Sequence, residues 1–517
     1  MAHSVIQLKY KNLLKQISIG VLGLLGVSFV LLLTNHHGAG LTPDSVAYIS
    51  AARNLAGGNG LLTYNGLHLV VQPPLYPILL AVIKNVTLID PLVSASYVNA
   101  FLFGSIVYLS GLLFLRYLKS FVLIILGTVS VLISYVLVQA SLMALSEPLF
   151  IFLLLLFLYF FERYQSRLDW LSLFMFSVFA SLACLTRYTG CVIIIAGTAY
   201  IWFSTKNTRR VKTRHSFIYL FVTFLPITIW VIRNYFLSGT LVGLRAASSY
   251  TLFENIKFFY NTVLPWYLPV NLSGIAFIIL FTIIVTWIFF GLDSVKPMNT
   301  TAINLIGPSL LFVLLYSGVI IISSTTTAYD RISDRLLSPI YIPIIFILFF
   351  ISDKIQSWLI KYYQPKLITG FFIVGILIWI VLPITNTIRT VQEYTESGGL
   401  GYNSSEWRES PTIDYIKTHK LFSKNYEFYS NEPEAVYILT NIQTKRSPAK
   451  TYYNSPQIFN ISNHSEAIWR NSEIVCLIWF DLVNRSFLFT IDELREKINL
   501  TEIAQTNDGG IYTHSLK

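Results

Sequence analysis

Residues 17–48 read ISIGVLGLLGVSFVLLLTNHHGAGLTPDSVAY. The run 17–33 is uncharged and approaches the ~20 residues that cross a bilayer. Lys9, Lys11 and Lys15 precede it, and Thr34-Asn-His-His-Gly38 follows in place of a small-residue cleavage site. The segment therefore reads as an uncleaved first membrane helix rather than a signal peptide. Immediately beyond it, Leu41-Thr-Pro-Asp44-Ser-Val-Ala-Tyr48 sets one carboxylate just outside the membrane at the start of a short helix.

The rest of the chain repeats the first pattern. Of 517 residues, 54% are hydrophobic and 12% charged, about half the charge of an ordinary soluble protein. Apolar segments recur at about 97–117, 121–138, 147–161, 170–186, 190–204, 217–235, 271–291, 303–322, 338–352 and 368–385. The expected fold is a polytopic α-helical membrane protein with about 11 transmembrane helices. With a cytoplasmic N-terminus, the inner turns collect Arg116, Lys119, Arg163, Arg167, Lys206, Arg209, Arg210, Lys212 and Arg214 among others, while the outer loops hold fewer basic residues. That is the positive-inside bias. It accounts for the net charge of +11 and calls for no nucleic-acid partner. Cys184, Cys191 and Cys476 form neither a disulfide framework nor a metal-ligand cluster.

Residues 1–388 form the membrane module, with two interfacial helices expected in the first outer loop, 34–96. One runs over 44–56 and stops at Gly57-Gly58. The other opens at Pro73-Pro-Leu-Tyr-Pro77 and is too short to span. From Arg389 the composition turns polar. Tyr426–Tyr429 and Ile474–Trp479 read as strands, and Glu432–Leu439 and Ile491–Ile498 as helices. Residues 389–517 should form a small extracytoplasmic α/β domain.

Each charged residue on the outer side has two readings. Thr42 as N-cap, Pro43 at the first helical position and Asp44 in the first turn are good helix-start chemistry. Asp44 is equally a candidate general base for an attacking hydroxyl or amine. Glu147, in Leu145-Ser-Glu-Pro-Leu-Phe150, also starts a helix. An acid at the lipid boundary nevertheless requires a partner, which makes it an orienting or acceptor-binding carboxylate. Arg187, Arg245, Arg331 and Arg335 oppose the positive-inside trend. Each suits an interfacial anchor, and together they suit bidentate binding of a phosphate near the outer leaflet. Tyr48, Tyr64 and Tyr267 can stack on a sugar or anchor at the interface. His36, His37 and His68 share the first loop with Asp44, but adjacent histidines make a poor ligand set, so no metal site is assigned.

The ordered set Thr42-Pro-Asp-Ser-x-x-Tyr48, Gln72-Pro-Pro-Leu-Tyr-Pro77, Leu145-Ser-Glu-Pro-Leu-Phe150 and Trp230-x-x-Arg-Asn234, with Gly239 and Arg245 after it, resembles the GT-C superfamily of membrane glycosyltransferases. More narrowly it is similar to the bacterial branch related to protein O-mannosyltransferases and lipid A aminoarabinose transferases (glycosyltransferase family 39-like). Gly401-Tyr-Asn-x-x-Glu-Trp407 and Tyr429-Ser-Asn-Glu-Pro433 in the tail fit the same branch.

The resemblance implies a hexosyl or pentosyl donor carried on a polyprenyl phosphate, transfer outside the membrane with inversion, and a first-loop acid, here Asp44, as base. Many relatives carry two adjacent acids at that point. Here Ser45 follows Asp44, which leaves divalent-metal use and the acceptor (lipid, glycan or protein) open. A transporter or lipid flippase is the first rival, and a non-catalytic envelope assembly protein the second. The implied location is the plasma (inner) membrane.

Overall fold

The computed structural model describes residues 2–203, 208–269, 300–419, 426–458 and 474–515. The expected segment 271–291 lies outside these residues. Helix α1 (Ala2–His37) enters first, and α2 (Pro43–Ala56) and α3 (Leu75–Thr87) fill the segment between it and the next long helix. The membrane layer continues with α4 (Pro91–Tyr117), α5 (Phe121–Leu132), α6 (Tyr135–Leu142), α7 (Glu147–Arg167), α8 (Trp170–Thr186), α9 (Cys191–Phe203) and α10 (Arg209–Ser238). After α11 (Leu252–Val263) come three long helices, Thr300–Thr326, Asp334–Leu359 and Pro365–Glu396. Among the described residues seven helices are long and apolar enough to cross a bilayer, or eight if α5 and α6 form one span. The chain is a multi-pass membrane protein.

The expected segment 121–138 is not straight. It breaks between α5 and α6 with a bend of 42°. Ser134 supplies the physical reason, because its hydroxyl accepts from the Leu137 N–H and restarts the helix as an N-cap.

Helices α1 and α4 cross closely because both are small where they meet. A Cβ added at Gly104 would lie 2.3 Å from Val27 Cγ2 and 2.6 Å from the Gly23 carbonyl oxygen. Such crossings let backbones approach and gain dispersion contacts that lipid cannot supply. Gly104→Leu should therefore force the pair apart at a cost of about 1–3 kcal/mol, read as a lowered unfolding temperature in detergent. An unchanged temperature would show that the crossing tolerates bulk.

In the segment after α1, Thr42 and Ser45 form a reciprocal capping box and Pro43 opens α2. Gly57 ends the helix and Gly58 takes φ +82°. In α3, Tyr76, Pro77, Leu80 and Ala81 are buried while Val82 and Val86 are exposed, the two-faced pattern of an interfacial helix. The Tyr48 and Tyr76 rings meet edge-on at 5.3 Å and lock α2 to α3.

Two ends of the bundle are distinct. At one, Arg116 pairs with Glu162, and the Asp353 carboxylate accepts from the Lys119 and Ser120 N–H groups at the start of α5, 3.1 and 3.2 Å away. At the other lie α2, α3 and the C-terminal domain.

The helix Pro365–Glu396 runs through Arg389, where the polar composition begins. Beyond it a five-stranded sheet has the order β2-β1-β3-β5-β4. The strands are β1 (Glu427–Ser430), β2 (Lys445–Arg446), β3 (Ile474–Phe480), β4 (Thr501–Gln505) and β5 (Gly509–Ser515). Strand β1 pairs in parallel with β2 and β3, while β5 runs antiparallel to β3 and β4. The central β3 is covered on both faces, since Val475, Cys476, Leu477 and Ile478 are all buried, which explains its unbroken apolar sequence. Helices Pro433–Thr440 and Ile491–Lys497 complete the α/β pattern.

Buried charge pairs inside the domain are costly to break: Arg485 binds Glu432, which also accepts from the Tyr402 hydroxyl at 2.7 Å, and Arg446 binds Glu434 at 2.7 Å. Tyr64 of the 38–90 segment donates to the same Glu434 carboxylate at 2.9 Å and joins that segment to the domain.

Candidate active site

The first-loop carboxylate and the α7 acid meet through one guanidinium. Asp44 sits in the first turn of α2, Glu147 is the first residue of α7, and Arg335 is the second residue of its helix. Arg335 Nη2 donates to Asp44 Oδ2, and its Nε donates to Glu147 Oε1 at 2.8 Å. Gln72 Nε2 donates to Asp44 Oδ1 at 2.9 Å. Arg187, the residue that ends α8, brings Nη1 within 2.5 Å of Glu147 Oε1. Glu147 is fully buried whereas the Asp44 side chain is 31% exposed, so the second carboxylate faces open space and the first does not. The Tyr48 hydroxyl and Ser146 Oγ, 3.1 Å apart, tie α2 to the start of α7.

The electrostatics follow from this pairing. Burial pushes the Asp44 carboxyl up, but the Arg335 guanidinium, the Gln72 amide and the Arg187 charge outweigh it and hold the group below the ordinary carboxylate range. Burial, and then the Asp44 charge, push the Tyr48 phenol well up. Tyr48 is thus a hydrogen-bonding hydroxyl and Asp44 the ionised group.

A cavity of about 390 Å³ opens over this cluster, lined by Asp44, Gln72, Arg187, Arg245, Arg335 and Tyr453 among others. Arg245 stands over the Tyr329 ring at 5.1 Å and donates to the Val242 carbonyl at 2.9 Å. Among the described residues, Arg187 Nε and Arg245 Nε are buried without a protein partner. Two unpaired guanidinium donors beside a cavity are a costly arrangement unless an acceptor meets them.

The structure therefore brings together Asp44, Glu147, Arg187, Arg245, Arg335 and Tyr48. It places the other expected residues elsewhere. Arg331 lies over the Phe258 ring at 4.0 Å. Tyr64 is bound to Glu434 in the domain contact, and Tyr267 stacks on Tyr341 at 5.8 Å. None of these three lines the cavity. Gln72, Asp330 and Tyr453 line it as well. In the sequence Gln72 shows only as the first residue of the Gln72-Pro-Pro-Leu-Tyr-Pro77 motif, and nothing there marks Tyr453.

The donor set does not fit a divalent metal. Among the described residues no three His, Cys, Asp or Glu side chains gather, and both carboxylates of the cluster face guanidinium groups. His36 and His37 pack on each other, and His37 packs on Tyr394.

No protein-family model matches the chain, and no curated protein sequence does. Solved structures do. ArnT from Cupriavidus metallidurans bound to undecaprenyl phosphate superposes with TM-score 0.59 at 11% identity, over 95% of this chain and 97% of that one. The same protein in the apo state gives 0.52 at 11% identity, over the same shares of the two chains. The archaeal oligosaccharyltransferase AglB from Archaeoglobus fulgidus, in complex with an inhibitory peptide and a dolichol-phosphate, gives 0.50 at 12% identity, over 90% of this chain and 69% of that one. At such identities the likeness is one of architecture. The chain is a multi-pass helical membrane protein that shares the overall architecture of ArnT.

Proposed function

We propose that this chain is an inverting glycosyltransferase. It moves a hexosyl or pentosyl group from a polyprenyl-phosphate donor to a hydroxyl or amine of an extracytoplasmic acceptor. The observation that carries the reading is the pairing of Asp44 and the buried Glu147 on one arginine at the wall of a cavity, next to unpaired guanidinium donors. Two neighbours in fold, ArnT and AglB, are described with polyprenyl phosphates bound, which supports the same donor class here.

In this reading Arg335, Arg187 and Arg245 hold the donor phosphate, and Glu147 fixes the first two of these. The acceptor oxygen or nitrogen attacks the anomeric carbon from the side opposite the phosphate. One bond forms from acceptor to carbon as the carbon–oxygen bond to phosphorus breaks. The electron pair leaves with polyprenyl phosphate, and the acceptor proton passes to Asp44. A single displacement inverts the anomeric centre. The leaving group is stable as an anion, so one base suffices. In this reading the positive-inside bias supports a cytoplasmic N-terminus with the cavity and residues 389–517 outside, and the chain works in the plasma (inner) membrane.

Arg335 gives the reaction an order. While it pairs with Asp44, the carboxylate is a weak base. A donor phosphate competes for the same guanidinium and adds negative charge, and both effects raise the Asp44 pKa. The base must be unprotonated, so activity is lost as pH falls through that pKa. The acid limb of kcat, which reports the donor complex, should therefore lie at higher pH than that of kcat/KM, which reports the free enzyme. Coincident limbs would show that the phosphate does not draw on Arg335.

The test of the reading is release of polyprenyl phosphate, followed by mass spectrometry. Purified protein would be given a panel of synthetic polyprenyl-phosphate sugars with a cell-envelope extract as acceptor. Turnover of one donor is the expected result. Folded protein that turns over none would overturn the assignment.

A further inference from the structure

We propose that Tyr453 is a specificity-determining residue through which the C-terminal domain selects the acceptor, and that this acceptor is the hydroxyl-rich sugar end of a glycan or glycolipid. The proposal rests on the transferase reading above. Tyr453 belongs to the C-terminal domain, yet it lines the same cavity as Asp44 and Arg335.

A tight turn carries it there. Thr451 bridges Ile458, the Tyr452 N–H donates to the Gln457 carbonyl at 3.1 Å, and Asn454 takes a left-handed φ of 49°. The turn is stitched to two loops of the membrane module. Tyr453 donates its hydroxyl to Asp330 Oδ1 at 2.8 Å, and the Asn454 amide donates to the Tyr329 carbonyl at 2.9 Å. The Ser249 N–H in turn donates to the Asn454 carbonyl at 3.1 Å. Asp330 then lies 4.0 Å from Arg335 Nη1. A continuous set of contacts thus joins the C-terminal domain to the arginine that holds Asp44.

The cavity has a wet end and a membrane end. Asp330 and Tyr453 are 56% and 43% exposed, whereas Glu147 and Arg187 at the far side are 0% and 13% exposed. A lipid phosphate reaches the buried cationic side, so the acceptor enters past Tyr453. What it meets there is chemically specific. Tyr188, Tyr329 and Tyr453 line the wall; the Tyr329 ring carries Arg245, and the partly exposed Tyr453 ring meets the apolar C–H side of a pyranose. The Asp330 carboxylate keeps acceptor sites for sugar hydroxyls after taking the Tyr453 hydrogen bond. An extended peptide would instead call for a strand edge with free backbone groups. The sheet edges are β2 and β4, and neither contributes to the cavity.

The experiment compares wild type, Tyr453→Phe and Tyr453→Ala in full-length protein with the donor found active. Aryl glycosides serve as one acceptor series and Ser/Thr-containing peptides as another. The position is partly exposed, so both variants should fold like wild type. Glycosides should be the accepted series. Tyr453→Ala should raise their KM at least tenfold, with donor KM and the rate of donor hydrolysis by water within twofold of wild type. Tyr453→Phe, which keeps the ring and loses the hydroxyl, should fall between. An unchanged glycoside KM in Tyr453→Ala would overturn the proposal, as would an equal rise in donor KM or transfer to peptides alone. Wild-type protein inert toward every donor would instead overturn the transferase reading on which the proposal stands.

Discussion

Asp44→Asn should lower sugar transfer by about 10²–10⁴-fold, the usual contribution of a positioned general base, while donor binding changes little. Asparagine has the same shape and can still meet the Gln72 amide with its carbonyl oxygen. It cannot take a proton from the acceptor. The fold should survive, because the Asp44–Arg335 pair is partly exposed and Glu147 still holds Arg335; exposed pairs contribute about 1 kcal/mol or less. The check is phosphate release and unfolding temperature measured on the same preparation, with undecaprenyl phosphate binding as a third quantity. Retention of more than a tenth of the activity would reduce Asp44 to a helix-start residue.

Arg335→Ala should remove both activity and a large part of stability. Glu147 is fully buried and its Oε2 already lacks a partner among the described residues. Removing one partner of a buried pair costs about 3–5 kcal/mol, and here Arg187 remains to hold the effect near the lower figure. Stability and chemistry can be separated by keeping the charge. Arg335→Lys leaves a cation beside the buried Glu147 carboxylate, so its unfolding temperature should recover toward wild type. Turnover should not recover, because an ammonium cannot reproduce the planar fork that meets both carboxylates and the phosphate. A lysine variant with wild-type turnover would show that only the charge at this position matters.

The membrane layer was legible in the sequence because its determinant is local. A bilayer requires apolar runs of fixed length, and 17–33 or 97–117 satisfy that without reference to any other part of the chain. The short helix at Asp44 was equally local, since Thr42, Pro43 and the Gly57-Gly58 stop are neighbours. Strands β1 and β3 showed as apolar runs. Strands β4 and β5 did not, because their sequences are mixed and their pairing comes from the register with β3.

The candidate site was half legible for a related reason. Asp44, Glu147, Arg187 and Arg335 all stand at helix ends, where a charge is conspicuous against apolar sequence. Which ends meet is a tertiary fact. Arg335 and Arg331 are near-equivalent in sequence, yet Arg335 lies inside the first helical turn and points to the carboxylates, whereas Arg331 precedes it and covers Phe258. Tyr64 and Tyr267 were plausible as sugar platforms and are instead consumed by packing. Tyr453 was invisible because nothing near it in sequence reports that its turn spans from one domain to the other.

The segment that leads into Asp44 has a further consequence. Leu41 gives its N–H to the Leu400 carbonyl and accepts from the Tyr402 N–H, while Gly40 is bonded in the same way to Leu142 and Ala144. Two of these partners emerge from the ribosome soon after the loop, but the other two belong to the last quarter of the chain. The approach to Asp44 thus cannot reach its final backbone pairing until residues 400–402 have been made and folded against it. Biogenesis itself withholds the completed site, and a nascent or prematurely ended chain would sit in the membrane without it.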